Sequence, residues 1–289
     1  MTTILIASSE PRAGRSTVAA AIAYRIARSG KPVTLARLAG DDSANADAAM
    51  FGALEYVNSP GKPVAVADVS SLTGDLVIEA PSGSAKALAA ALNARVIAVG
   101  GSNAKALEVA PDALAGVIVT RAPARELAVI GKRARVLAIL AEDRTLAAPS
   151  VADIATALQA RWLAGGDETT SAIDRVMIGT VASDAASPYF GQRARTCVIT
   201  RFDKTDIQLA ALLTDLECLV ITGGGEPSPY LIDRIGNGRS DVAVLLAPGG
   251  TVATMRAIEP LFGLSRFFGV GKLERAVALL DEANVPLEF

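Results

Sequence analysis

The chain contains no histidine. Ser-His-Asp triads, histidine general bases and most zinc sites are thereby excluded, because each needs an imidazole. Mg²⁺ held by carboxylates, hydroxyls and phosphates remains open. Aromatic residues are only 4% of the 289, too few to build stacking platforms for single-stranded nucleic acid. Neither sign of charge dominates: 28 Lys and Arg stand against 30 Asp and Glu, which argues against a nucleic-acid surface. No apolar run reaches membrane-spanning length. The first residues enter a strand-like segment with no basic leader, so a cytoplasmic protein without a membrane partner is expected. Cys197 and Cys218 are the two cysteines. Each lies in an apolar strand-like run and reads as a buried reduced thiol.

What the chain does have is apolar residue in quantity, 51% against 20% charged, enough for one large or two ordinary cored domains. Ile4-Leu5-Ile6-Ala7 is a run of strand length. The turn Ser8-Ser9-Glu10-Pro11-Arg12-Ala13-Gly14 follows, and then a helix with Val18, Ile22 and Ile26 on one face. Strand, tight loop and helix start are the context of a phosphate-cradling P-loop, where loop N–H groups and the helix N-terminus face an anion together. Against the P-loop pattern G-x-x-x-x-G-K-[ST], Ser9 takes the first Gly position, Gly14 fits, Arg15 takes the Lys position and Ser16 fits, followed by Thr17. Ser9, Gly14, Arg15, Ser16 and Thr17 are therefore candidate phosphate contacts, and the Ser16 hydroxyl a candidate Mg²⁺ ligand. An ordinary strand-to-helix turn that binds nothing is the competing reading. Downstream, Asp75-Leu76-Val77-Ile78-Glu79 is a buried strand ending on an acid before Ala80-Pro81-Ser82-Gly83-Ser84. Beside a P-loop, Glu79 would orient Mg²⁺ or its water; otherwise it caps the helix 84–92.

Strand and helix signals alternate along the rest of the chain. Strands are expected at 33–37, 95–99, 114–120 and 135–140, with a short edge strand at 64–69 and helices at 47–57 and 151–163, the latter capped by Ser150. Gly165-Gly166-Asp167 breaks this series. Further strands are expected at 176–181, 196–200, 218–222 and 242–247, with helices at 206–213, 228–235, 251–261 and 273–282. The pattern predicts an α/β fold with parallel sheets and two domains, 1–165 and a smaller 166–289. In the second, Asp203-Lys204, Thr222-Gly223-Gly224 and Pro248-Gly249-Gly250-Thr251 all follow strand ends, where open α/β sheets bind ligands. Plain turn chemistry is the alternative, with Asp206 and Thr251 as helix caps.

These residues together resemble the N-terminal region of long bacterial phosphate acetyltransferases, which joins a dethiobiotin-synthetase-like P-loop domain to a DRTGG domain. The first part is similar at Ala7 to Pro11 with Gly14 and Ser16, at Ile78 to Gly83, at Gly116 to Val119 and at Glu142 to Val151. The second part is similar at Asp203 to Leu212 and at Thr222-Gly223-Gly224. Arg15 departs from the P-loop Lys. Arg37-Leu38 stands where the synthetases have Lys-Pro, a Lys tied to substrate and phosphate. Thr120 replaces an adenine-reading Asn, and Lys204 replaces the Arg of the domain's name. The chain stops before an acetyltransferase domain, so acetyl transfer is not expected.

The resemblance implies a nucleotide- or metabolite-binding regulatory protein with a degenerate P-loop, taking ATP or another adenine nucleotide, with Mg²⁺ at Ser16 and Glu79. Ser9, Gly14, Arg15, Ser16, Thr17, Arg37, Asp203, Lys204, Thr222, Gly223 and Gly224 are the candidate binding residues. A homodimer, with a protein partner as recipient of the bound state, is expected. The alternative is an ATP-dependent ligase of the dethiobiotin-synthetase kind.

Overall fold

The structure, a computed structural model, describes residues 2–101, 112–126, 135–165, 171–179, 189–191, 195–238 and 241–288. It is α/β, with one six-stranded and one five-stranded sheet. Contacts group residues 1–143 with 270–289 as one unit and residues 144–269 as another. That division differs at both ends from a cut between 165 and 166.

In the first unit, β1 (Thr3–Ala7), β2 (Val33–Arg37), β3 (Asp75–Glu79), β4 (Arg95–Gly100), β5 (Leu114–Ala122) and β6 (Val136–Ala141) form a parallel sheet in the order β2-β3-β1-β4-β5-β6. Leu5, Leu35, Val77 and Val96 on four of these strands are fully buried, as a parallel sheet covered on both faces requires. The strand order reverses about β1, which places a switch point at the carboxyl ends of β1 and β4. Helix α1 (Arg15–Arg28) leaves β1 through residues 8–14; α2 (Ala44–Gly52) follows β2 and α3 (Ala85–Leu92) follows β3. The alanines of α1 let it lie close against the sheet, and Val18, Ile22 and Ile26 are buried. The expected edge strand at 64–69 is a single bridge, Val64 to Leu38, followed by a 3₁₀ turn, Val66–Ser71.

The helix Gly269–Glu282 belongs to this unit because the basic last turn of α1 holds it. Arg25 pairs with Asp281 at 2.7 Å and donates to the Val285 carbonyl at 2.7 Å, and Arg28 takes the other Asp281 oxygen at 2.7 Å.

In the second unit, β7 (Arg161–Ala164), β8 (Arg175–Ile178), β9 (Thr196–Arg201), β10 (Cys218–Thr222) and β11 (Ala243–Leu246) lie in the order β7-β11-β10-β9-β8, all parallel except β7. Helix α4 (Val151–Leu158) starts on a capping box in which Ser150 and Asp153 exchange side-chain and backbone hydrogen bonds. It stops short of the expected Leu163 because Gln159 takes φ 50°, which sends Trp162 into β7. Val151, Ile154 and Leu158 of α4 share a core with Cys197, Val220 and Leu245. Residues before 166 are thus part of this unit's interior. The break expected at 165–167 falls after β7, and Gly166 and Asp167 lie outside the described residues, as do 180 and 181 of the strand expected at 176–181.

Cys197 and Cys218 are register partners on β9 and β10, both free and buried. A hydrogen bond with Cys197, and then burial, pushes the Cys218 thiol well above its usual range. Among the described residues, no helix is long and apolar enough to cross a membrane.

Candidate functional site

The loop after β1 is shaped by two left-handed residues, Arg12 at φ 53° and Gly14 at φ 87°. A Cβ at Gly14 would have to adopt that backbone, which disfavours any other residue there. No side chain caps α1, so its first N–H groups are left for another acceptor. Thr120 on β5 closes the loop from behind: its hydroxyl donates to the Ala13 carbonyl at 2.8 Å, with the Gly100 carbonyl at 3.3 Å. It braces the backbone instead of reading a base. Glu10 reaches across to the Gly101 N–H at 3.1 Å, and Gly83 N–H lies 3.4 Å from the Ser8 carbonyl. The ends of β1, β3 and β4 are thereby drawn together. Ser9 and the two Ser82–Gly83 residues are exposed, and Thr17 is half-buried.

Beneath the loop lies a charged cluster. Glu79 is 1% exposed. Its Oε1 accepts the Ser16 hydroxyl at 3.1 Å and lies 3.5 Å from Arg15 Nε. Its Oε2 is buried without a hydrogen bond, 3.8 Å from Arg37 Nε. Arg37 is fully buried. It donates to Asp41, to the Leu38 carbonyl at 2.7 Å, to Ser43 Oγ at 3.3 Å and to Asp47 at 3.5 Å. Arg15 is nearly buried, yet among the described residues it makes one hydrogen bond, Nη1 to Ser82 Oγ at 2.9 Å. Its Nη2 stands 3.9 Å from Asp41, too far for a hydrogen bond.

The two arginines therefore differ in kind. Arg37, expected to reach a ligand, is turned inward and committed to acids of its own unit. Arg15 balances charge but keeps donors unused, since a guanidinium has five N–H groups. Burial would lower the Arg37 pKa, but Asp41, Glu79 and Asp47 together raise it. Burial would likewise lift Asp41, but the hydrogen bond and charge of Arg37 hold it below its usual value. For Glu79 burial wins: despite Arg37, Arg15 and Ser16 it rises to about 7, helped by the charge of Asp47. The alternative role for Glu79 as a helix cap is not seen, since α3 has no side-chain cap.

The expected Mg²⁺ does not fit this cluster. The Ser16 hydroxyl donates to Glu79 and keeps its lone pairs, but both Glu79 oxygens face guanidiniums.

In the second unit β9, β10 and β11 are adjacent, so the loops after them do share one end of the sheet. Gly223 and Gly224 take φ 99° and 72° and are exposed. The Gly223 N–H donates to the Gly249 carbonyl at 2.9 Å. Thr222 is fully buried. Its hydroxyl lies 3.1 Å from the Thr200 carbonyl and 3.1 Å from Thr251 Oγ1, which ties the strand ends to the helix Thr251–Ile258. Asp203 is gripped by Arg201 through two contacts, 3.0 and 3.1 Å; the hydrogen bond from Arg201 lowers its pKa. Lys204 is exposed at the N-cap of the helix Thr205–Leu212. Asp206 and Thr251, read as alternative caps, sit inside their helices; Lys204 and Gly250 are the cap residues.

Sequence reasoning missed Asp41, Asp47, Ser43 and Ser82. The first three sat in a stretch legible only as a polar loop and helix start. Ser82 was visible beside Glu79, but nothing local signalled its contact with Arg15.

Residues 153–261 match the DRTGG domain, which places that domain within the second unit. The chain is also similar to a solved structure described as the CBS and DRTGG domains of the regulatory region of Clostridium perfringens pyrophosphatase, complexed with the activator diadenosine tetraphosphate. Identity is 18%, the TM-score 0.36, and the match covers 42% of this chain and 52% of that one. This chain thus spans about half of that structure's length.

Proposed function

We propose that the chain is a regulatory protein whose first unit binds a phosphate-bearing metabolite, an adenine nucleotide, without turning it over. The bound state passes to a partner or to a second copy of the chain. The observation that carries this reading is the contrast between Arg15 and Arg37. The loop, the uncapped α1 and the remaining Arg15 donors suit an anion. Phosphoryl transfer, however, needs cations placed to stabilise charge moving through the transition state. Arg37 is fixed on three carboxylates, and Arg15 already balances two. A ligase of the dethiobiotin-synthetase kind would have to work with Arg37 withheld and with Arg15 shared between the phosphoryl group and two carboxylates.

In the second unit, Lys204 and the backbone of Gly223 and Gly224 form a shallower place for a second anion. Asp203 serves there by orienting Arg201. Self-association as a two-fold dimer through this unit is part of the same reading. Light scattering should give a mass near twice 29.6 kDa, and a clean monomer would remove the dimer.

A thermal-shift screen with ATP, ADP and AMP, paired with product release, tests the reading. Stabilisation without turnover is expected. Turnover at an ordinary enzymatic rate, about 10 per second, would replace it with the ligase.

A further inference from the structure

We propose that the Arg15 guanidinium stands in the place of a divalent cation, so that the first unit takes its ligand as the free anion and not as a metal chelate. This rests on the anion-binding reading above and specifies the form in which the anion arrives.

A metal-bound phosphate at a loop of this kind needs a hydroxyl lone pair and a nearby acid with charge to give. Here the Ser16 hydroxyl donates to Glu79 Oε1 at 3.1 Å and keeps its lone pairs, so what the site lacks is the acid with charge to give. The same oxygen lies 3.5 Å from Arg15 Nε, and the other oxygen 3.8 Å from Arg37 Nε. The second acid within reach, Asp41, is bonded to Arg37 and lies 3.9 Å from Arg15 Nη2. Each carboxylate that could neutralise a metal thus already faces a positive charge. A divalent ion shared by Ser16 and Glu79 would face two buried guanidiniums across a buried carboxylate, where like-charge repulsion is weakly screened.

Arg15 meets the needs of the anion directly. It is anchored through one nitrogen on Ser82, at 2.9 Å. Its contacts with Glu79 and Asp41 are charge contacts of 3.5 and 3.9 Å and leave N–H groups for phosphate oxygens. A planar fork held at one corner suits two such oxygens at once, which a lysine at this position would not match. The chain's departure from the P-loop lysine and the misfit of the metal then have one cause.

Two measurements test this on the intact chain. The first is calorimetry with ADP, in chelator and in excess Mg²⁺ at equal ionic strength. Affinity in chelator should equal or exceed that in Mg²⁺, and Arg15→Ala should weaken it by about tenfold or more. Binding that needs Mg²⁺ would overturn the inference while leaving nucleotide binding intact. No binding of ADP in either buffer would remove the nucleotide reading itself.

The second measurement needs no nucleotide: Mn²⁺ alone, followed by electron paramagnetic resonance. Wild-type protein should leave Mn²⁺ free, and Arg15→Ser, which takes away one of the two guanidiniums facing Glu79 and Asp41, should bind it. Wild-type binding of Mn²⁺ that Glu79→Gln abolishes would overturn the inference, and that arm holds even if Arg15→Ser fails to fold.

Discussion

Replacing Glu79 with Gln removes the carboxyl that, among the described residues, is held near neutrality. The chain has no histidine, so no side chain of ordinary pKa changes charge between about pH 5 and about pH 8. The Glu79 carboxyl is raised from 4.5 to about 7, chiefly by burial. A carboxyl whose pKa is higher folded than unfolded stabilises the fold fully below its unfolded value. That stability is lost as pH rises through the folded value. From 4.5 to about 7 the loss amounts to about 3 kcal/mol. Glutamine keeps the shape and cannot ionise. Urea unfolding followed by circular dichroism across that pH range should therefore show wild-type stability falling relative to Glu79→Gln. Most of the change should come between about pH 5 and about pH 8. Comparing the two proteins cancels whatever fixed cost Gln imposes by losing the charge opposite Arg15 and Arg37. Parallel stability curves for the two proteins would refute burial as the force that governs Glu79.

Arg25→Ala should destabilise the first unit by on the order of 2–3 kcal/mol, because Asp281 and the Val285 carbonyl lose a buried donor; a change under about 0.5 kcal/mol would show that this tie is not what holds the helix Gly269–Glu282. A fragment of residues 144–269 should fold, with dispersed amide resonances, whereas 166–289 should not, since it lacks α4 and β7. Folding of the shorter piece would move the boundary back to Gly165. Gly224→Val forces a β-branched residue to φ 72° and should cost about 1–3 kcal/mol. Lys204→Ala should leave the melting temperature nearly unchanged and weaken pyrophosphate binding to the second unit; unaltered binding in both variants would remove that site.

The sheets were readable where burial is local. The interiors of β1, β3 and β10 are unbroken apolar runs, Ile4–Ala7, Leu76–Ile78 and Cys218–Ile221, and Ser150 announces a helix start. The turn at Gly14 was equally plain, because glycine after a strand and before a helix has few other uses. What could not be read was long-range charge pairing. A strand-terminal arginine such as Arg37 looks ligand-facing until Asp41 and Asp47 fold over it, and their positions depend on where the chain goes after β2. β7 was hidden because Arg161–Ala164 carries no helix-breaking residue before it, only Gln159 in a left-handed turn. The helix Gly269–Glu282 looks like the end of the second unit. Its partner, Arg25, lies 256 residues away, a separation no periodicity reports.

The most direct test of the central claim is one titration of ADP and ATP into wild-type protein and Arg15→Ala, with released phosphate followed in the same samples. We expect saturable binding of about one nucleotide per chain, weakened about tenfold by Arg15→Ala, with no phosphate release above background. Steady phosphate release from ATP, or nucleotide binding indifferent to Arg15, would contradict a site that holds its ligand through this arginine without acting on it.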